Sequence, residues 1–262
     1  MSYKLDKLII RVYNRQMRRI ISILALFAFL YIGQAGAAAP KPLSITASSW
    51  LVADESGNVL QSQNITEQRA IASITKLMTA MVVLDANQKL DEQIGKYTRA
   101  ETIQLALVHS DNKAADTLCQ YYPNGREACV RAMNIKAQMI GMHDTRYVEP
   151  TGLSVFNVST ATDLVKLVIV AKNYAEVIEA AHSPQVKIKL KKRWFFFNNT
   201  NPIIGKRHEF IVSKTGYIRA SGGCIVMMLD TDIGRRIVIV LGSKNTKTRI
   251  PEAEFIALRS AN

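Results

Sequence analysis

What most restricts the fold of this chain is where its strand-like runs lie: near both ends, with a long helical stretch between them. Toward the N-terminus "SITASSWLVAD" (residues 44–54) reads as a strand, Glu55-Ser56-Gly57-Asn58 is turn chemistry, and "VLQSQN" returns as the second arm of a hairpin. Toward the C-terminus "EFIVSKTGYI", "CIVMMLD" and "RRIVIVLGS" are parted by Ser221-Gly222-Gly223 and by Asp230-Thr231-Asp232-Ile233-Gly234. Those connections are too short for parallel crossovers, so the pairing is antiparallel. Residues 66 to about 180 carry helical periodicity, with a stop at Gly141 and an S/T-x-x-D cap from Thr160 to Asp163. The pattern predicts an α/β (α+β) fold, one antiparallel five-stranded sheet built from both termini. Residues 44–65 and 186–262 supply the sheet part, residues 66–185 a helical subdomain inserted into it, and "PEAEFIALRS" a last helix that packs back on the sheet.

Residues 1–37 read as a signal peptide ahead of a domain at 38–262. Six Lys or Arg precede the apolar run "IISILALFAFLYI", whose 13 residues fall short of the about 20 that span a bilayer, and Ala35-Gly36-Ala37 supplies small residues for cleavage. The competing reading is an uncleaved signal anchor. Without the leader, Lys plus Arg falls from 34 to 28 and Asp plus Glu from 21 to 20, so the net charge drops from +13 to +8. A cationic exported chain meets membrane headgroups or wall polymer rather than nucleic acid, which predicts peripheral membrane or wall association in the periplasm. Of the three cysteines, Cys119 and Cys129 flank the turn signal Pro123-Asn124-Gly125; the sequence leaves both a bridge and two free thiols open. Cys224 reads as a small buried hydrophobe. The four histidines are scattered, and neither a metal nor a cofactor is called for.

In "SITKLMTAMVVL", Ile74, Leu77, Met78, Met81 and Val82 recur at i, i+3, i+4, i+7 and i+8, while Val83 and Leu84 widen the stripe until little polar surface is left. A lysine early in such a helix lies either on a narrow polar strip beside Thr79 or in the interior, where desolvation makes the neutral amine accessible. Ser73 and Lys76 are i and i+3, on one face. A serine there also sits where unpaired backbone N–H groups favour developing negative charge. The pair alone means little, since a capping serine beside a solvated lysine gives the same letters and a second S-x-x-K occurs at Ser110 and Lys113.

Its company carries more weight. Ser110-Asp111-Asn112 follows, opening a helical run, and Lys214-Thr215-Gly216 occurs once, inside a strand where glycine lets a ligand backbone come close. With S-x-x-K, S-D-N and K-T-G in order, the chain resembles the low-molecular-mass penicillin-binding proteins, the D-alanyl-D-alanine peptidases of the serine β-lactamase-like fold. The likeness runs from about residue 44 to residue 258 and takes in "YVEPTGLSVFNVSTATDLVKL" and "SKTGYIRASGGC". The resemblance implies that Ser73 attacks a D-Ala carbonyl, Lys76 takes its proton, Ser110 relays a proton to the leaving nitrogen and Asn112 holds the substrate amide. It further implies that Lys214 and Thr215 fix a carboxylate, that Gly216 belongs to the same substrate-binding strand, and that the backbone N–H groups of Ser73 and Tyr217 form an oxyanion hole. Asp111 completes a motif without a chemical step.

The implied partners are peptidoglycan stem peptides and β-lactam inhibitors. A class A-like β-lactamase would need a deacylating glutamate in E-x-x-L-N, and Glu149 in "EPTGLS" does not keep that spacing. A non-catalytic peptidoglycan-binding protein would not need all three motifs. Among peptidases, the 46 residues after Gly216 are similar in extent to the endopeptidase branch, which cuts D-Ala to diaminopimelate cross-links, rather than to carboxypeptidases with a further β-domain. Finally, "VKIKLKKRWFFFNN" alternates Val186, Ile188 and Leu190 with lysines, which predicts a strand with one solvated face or a contact for wall polymer.

Overall fold

The structure, a computed structural model, describes residues 44–259; the expected signal peptide lies outside them. Strand β1 (Ser49–Asp54) turns at Gly57 into β2 (Val59–Gln63). Two-residue strands β3 (Arg69–Ala70), β4 (Gln93–Ile94), β5 (Tyr97–Thr98) and β6 (Val158–Ser159) punctuate the helical region. Its helices are α1 (Thr75–Asp85), α2 (Arg99–Gln104), α3 (Asn112–Gln120), α4 (Gly125–Met139), α5 (Ala161–Ala171) and α6 (Ala175–His182). Then come β7 (Gln185–Leu190), β8 (Arg193–Asn198), β9 (Phe210–Ile218), β10 (Gly222–Thr231), β11 (Gly234–Ser243) and the last helix α7 (Arg249–Arg259).

The main sheet has five strands in the order β2-β1-β11-β10-β9, every pair antiparallel. It is built from both ends of the described chain, as the sequence predicts: β1 pairs along its length with β11, from Ser49 opposite Leu241 to Asp54 opposite Arg236. Side chains alternate across the central strands. Leu51, Val226, Met228, Ile237 and Ile239 enter the core beneath the helical region, while Val52, Ile225, Met227, Val238 and Val240 meet Ile250, Ala253 and Ile256 of α7. Both faces are covered, which is why these strands read as unbroken apolar runs instead of alternating ones.

Helix α1 is enclosed on all sides, with every residue from Thr75 to Val83 buried. Burying Ile74, Leu77, Met78, Met81 and Val82, all at most 2 % exposed, stabilises the fold by about 1.5 to 3 kcal/mol each. The helix therefore forms the axis of the helical region and cannot shift without repacking it. Helix α5 begins at the predicted cap, where Thr160 Oγ1 accepts from Asp163 N at 3.1 Å, and packs on the sheet.

The lysine-rich segment is a strand as expected, but it pairs only with its neighbour. Strands β7 and β8 form a separate hairpin, from Gln185 opposite Asn198 to Leu190 opposite Arg193. Ile188 alone of its apolar residues is fully buried, so the hairpin leans on the molecule by one side.

Cys119 at the end of α3 and Cys129 in α4 are joined in a disulfide across the Tyr122–Gly125 turn, and Cys224 is free and buried. Replacing both bridged cysteines by alanine is expected to lower the free energy of unfolding by about 2 to 3 kcal/mol, the cost of freeing a loop this short in the denatured chain. A urea titration under oxidising conditions checks it; an unchanged midpoint at unchanged slope would contradict it.

Candidate active site

Ser73 lies in a single 3₁₀ turn (Ala72–Ile74) that leads into α1. No side chain caps either element, so Ser73 is not a capping serine. The turn is tightly gripped. Ala72 is held at a φ of +47°, a left-handed conformation that costs a residue with a Cβ and persists only where surroundings enforce it. Two glycines do the enforcing. A Cβ on Gly152 would stand 2.0 Å from the Ala72 carbonyl oxygen, and one on Gly216 would stand 2.9 Å from the Ser73 nitrogen. The sequence assigns Gly216 to the close approach of a ligand; in the structure the backbone that comes close is the chain's own.

Lys76 is wholly buried one turn on, and its ammonium nitrogen lies 2.8 Å from Ser73 Oγ, 2.8 Å from Asn112 Oδ1 and 2.6 Å from the Thr151 carbonyl oxygen. Three acceptors in a dry site hold it in one place. Burial pushes its pKa down from 10.5 to about 8, against the pull of the Glu149 and Asp111 carboxylates, which favour the cation. Of the two positions open to it in the sequence, Lys76 takes the interior one, and Thr79 is buried there too, donating to the Pro150 carbonyl.

The second motif sits where two helices meet. A π-helical turn (Leu105–His109) ends at Ser110 with φ +60°, and Asp111 then caps α3 by accepting from Ala114 N at 2.7 Å. Asp111 is thus structural, and Asn112 projects from the first turn of α3 at an exposed rim. From β9, Lys214 crosses to donate to Ser110 Oγ at 2.8 Å and to the Thr215 carbonyl at 3.0 Å. It is 1 % exposed, and burial first, then the nearby Lys76 and Arg249 cations, drive its pKa well below the usual lysine value. Thr215 donates to Thr200 Oγ1 at 2.7 Å, and Tyr217 is 47 % exposed at the end of the same strand. The residues singled out in three distant motifs therefore form two linked pairs, Ser73 with Lys76 and Ser110 with Lys214, with Asn112 bonded to the first.

Three further residues shape the site. Glu149 accepts from Thr151 N, Thr151 Oγ1, Gly152 N and Asn157 Nδ2 at 2.6 to 3.0 Å, which folds the segment 149–157 into a loop that aims the Thr151 carbonyl at Lys76. The buried Asn157 also donates to Thr75 Oγ1 in α1 and offers its carbonyl to Ile71 N, locking that loop to the Ser73 turn. Arg249, at the start of α7, donates to the Gly216 carbonyl at 2.7 Å. No spacing in the sequence links Arg249 to K-T-G. "EPTG", by contrast, offered a readable clue in a carboxylate followed by a threonine and a glycine whose N–H groups it receives.

A half-buried serine bonded to a buried lysine, and a second serine–lysine pair near enough for the two amines to depress each other's charge, have the parts of a serine acyl-transfer enzyme. Sequence comparison resolves the class. The family model described as D-alanyl-D-alanine carboxypeptidase matches residues 35–95 and 89–245, and the chain belongs to that family of serine DD-peptidases. It is 36 % identical over 266 residues to a D-alanyl-D-alanine endopeptidase of Pseudomonas aeruginosa, covering 90 % of this chain and 86 % of that protein. It is 38 % identical to a D-alanyl-D-alanine endopeptidase of Escherichia coli strain K12, covering 74 % of this chain and 70 % of that one. In three dimensions it is similar to penicillin-binding protein D2 of Listeria monocytogenes in its ampicillin-bound form, with a TM-score of 0.73 and 27 % identity over 82 % of this chain and 97 % of that chain.

Acylation by a β-lactam is expected to accelerate with rising pH through about 8, as the Lys76 amine loses its proton, and then to level off. Lys76 is pushed down by burial and faced by Glu149 and Asp111, which favour its cation, and by Lys214, whose own charge the Lys76 cation disfavours. Removing the Glu149 charge in Glu149→Gln is therefore expected to move the midpoint to lower pH. Stopped-flow labelling across pH 6 to 10 measures both; a midpoint that rose in the variant would contradict the sign. Gly152→Ala is expected to abolish labelling without unfolding the chain, because the added methyl collides with the Ala72 carbonyl. Retained labelling at the wild-type rate would contradict the grip on the Ser73 turn.

Proposed function

We propose that this chain is a D-alanyl-D-alanine endopeptidase that hydrolyses the D-Ala to diaminopimelate cross-links between peptidoglycan stem peptides through an acyl-enzyme. The hydrogen bond from the buried Lys76 amine to Ser73 Oγ carries the reading, because it couples a nucleophile to a base whose pKa lies near working pH. In the proposed reaction Lys76 takes the hydroxyl proton as Ser73 Oγ bonds to the D-Ala carbonyl carbon. The backbone N–H groups of Ser73 and Tyr217 receive the developing oxyanion. Ser110, held by Lys214, relays to the departing amine nitrogen the proton that Lys76 took from Ser73, so that Ser110 stays a hydroxyl and Lys76 returns to the neutral amine as the C–N bond breaks, and Asn112 holds the substrate amide. Water then attacks the ester, releasing the stem peptide and restoring Ser73. The Arg249 guanidinium keeps this end of the site positive, and Lys214 and Thr215 offer hydrogen-bond donors, which suits a substrate carboxylate.

Cleavage of cross-links rather than of a terminal D-Ala is supported by the two relatives named endopeptidases. β-Lactams are inhibitors in this reading. Glu149, whose charge acts on Lys76, is committed to donors of its own loop, so it is not free to activate a deacylating water. Work in the periplasm, after removal of a leader at residues 1–37, is supported by the Cys119–Cys129 bridge, which persists only in an oxidising compartment. Peripheral association with membrane or wall material fits the basic composition.

Purified protein is expected to open cross-linked muropeptide dimers faster than it trims pentapeptide monomers, and to form a stable adduct with fluorescent penicillin. Ser73→Ala loses both activities, and Lys76→Arg, which keeps its proton, lowers acylation by about 10² to 10⁴-fold. Preferential trimming of pentapeptides would reassign the chain to the carboxypeptidases. Rapid steady turnover of a chromogenic cephalosporin would make it a β-lactamase.

A further inference from the structure

The β7–β8 hairpin takes no part in the catalytic geometry, yet its composition is unlike the rest of the surface. Residues 185–198 hold Lys187, Lys189, Lys191, Lys192 and Arg193 and no acidic residue. Trp194 is 56 % exposed, Phe195 40 % and Phe196 59 %, three consecutive rings open to water where exposed apolar side chains ordinarily stand singly. The cross-strand register puts Lys189 opposite Trp194 and Lys187 opposite Phe196 on one face. Their ammonium groups lie over those rings, at 5.8 Å and 6.0 Å from the centroids. On the other face Lys96 approaches the Phe195 ring at 5.6 Å, and with Leu190, Lys191, Lys192, Arg193 and Phe195 it lines a concavity of about 690 Å³.

The hairpin is also tied to the wall of the active site. Its base meets the π-helical turn before Ser110, where the His109 ring nitrogen lies 3.1 Å from the Asn198 carbonyl and Thr200 N donates to the Val108 carbonyl at 3.0 Å. Two residues past β8, Thr200 receives the hydroxyl of Thr215. The base of the hairpin therefore adjoins the segments that carry Ser110 and Thr215.

We propose that the β7–β8 hairpin is a platform for the uncut wall polymer, with sugar faces of the glycan stacking on Trp194 and Phe196 and the carboxylates of its stem peptides meeting Lys187 and Lys189. This deepens the proposed function and rests on it. Rings alternating with ammonium groups along a shaft match a chain that alternates apolar sugar faces with negative charge. An anionic bilayer is the less fitting partner, because an inserting hairpin leads with apolar residues, and the tip here is Lys191-Lys192 with every ring set back from it.

The test uses two double variants, Trp194→Ser with Phe196→Ser and Lys187→Glu with Lys189→Glu, both on exposed residues. Each is expected to weaken co-sedimentation with purified sacculi by about fivefold or more and to slow release of fragments from sacculi to match. Penicillin labelling and cleavage of soluble muropeptide dimers stay at wild-type rates. Sacculus binding and digestion unchanged in both variants would overturn the platform. So would lost binding to phosphatidylglycerol vesicles with sacculus binding intact, which would assign the surface to the membrane. A wild-type protein that left dimers uncut would unseat the endopeptidase reading instead, and the sacculus-binding arm would still decide the platform.

Discussion

The site depends on one amine kept out of water. Lys76 is fully buried in the helical region, and its three hydrogen-bond acceptors come from three separate stretches of chain: the Ser73 turn, the first turn of α3 and the 149–157 loop. A buried lysine is expensive because its charge is poorly solvated, and the cost is met partly by these acceptors and partly by giving the proton up more easily. The same burial that strains the fold makes the amine a base. Stability and reactivity are opposed at this residue, which explains why so much of the surrounding packing is directed at holding it still.

That packing acts on backbone as much as on side chains. The carbonyl and nitrogen around Ala72 and Ser73 are touched from one side by Gly152 and from the other by Gly216, at distances that admit no side chain. Arg249 reaches from α7 to fasten the Gly216 carbonyl, and Asn157 fastens the 149–157 loop to both Ile71 and Thr75. The left-handed Ala72 is therefore enforced by neighbours rather than by local preference, and it adjoins Ser73, whose hydroxyl is bonded to Lys76.

Much of this was legible in the sequence. Apolar runs between short polar turns specify antiparallel strands whatever their distance along the chain, so a sheet drawn from both ends followed from pattern alone. Lys76 in an almost wholly apolar helix had two places open to it, a strip beside Thr79 or the interior, and the structure takes the second; three motifs in order named Ser73, Ser110 and Lys214 as one site through the family resemblance. The separate hairpin was not legible, because alternation in "VKIKLK" marks a half-buried strand without naming its partner. Arg249 was equally silent: its link to Gly216 is a long-range meeting of a helix start with a strand, and no local spacing encodes that. The cysteines lay between these cases, since a turn between them permits a bridge that only the packing of α3 on α4 completes.

The order of the sheet bears on when such a protein becomes dangerous to its maker. Strand β1 lies between β2 and β11, and K-T-G reaches the Ser73 turn only when β9 is held by β10 and β10 by β11. The earliest strand thus waits for the latest, an arrangement of distant contacts that folds slowly. A chain still being synthesised has the serine and the lysine but no walls around them, so hydrolytic power arrives all at once, with the last strand delivered.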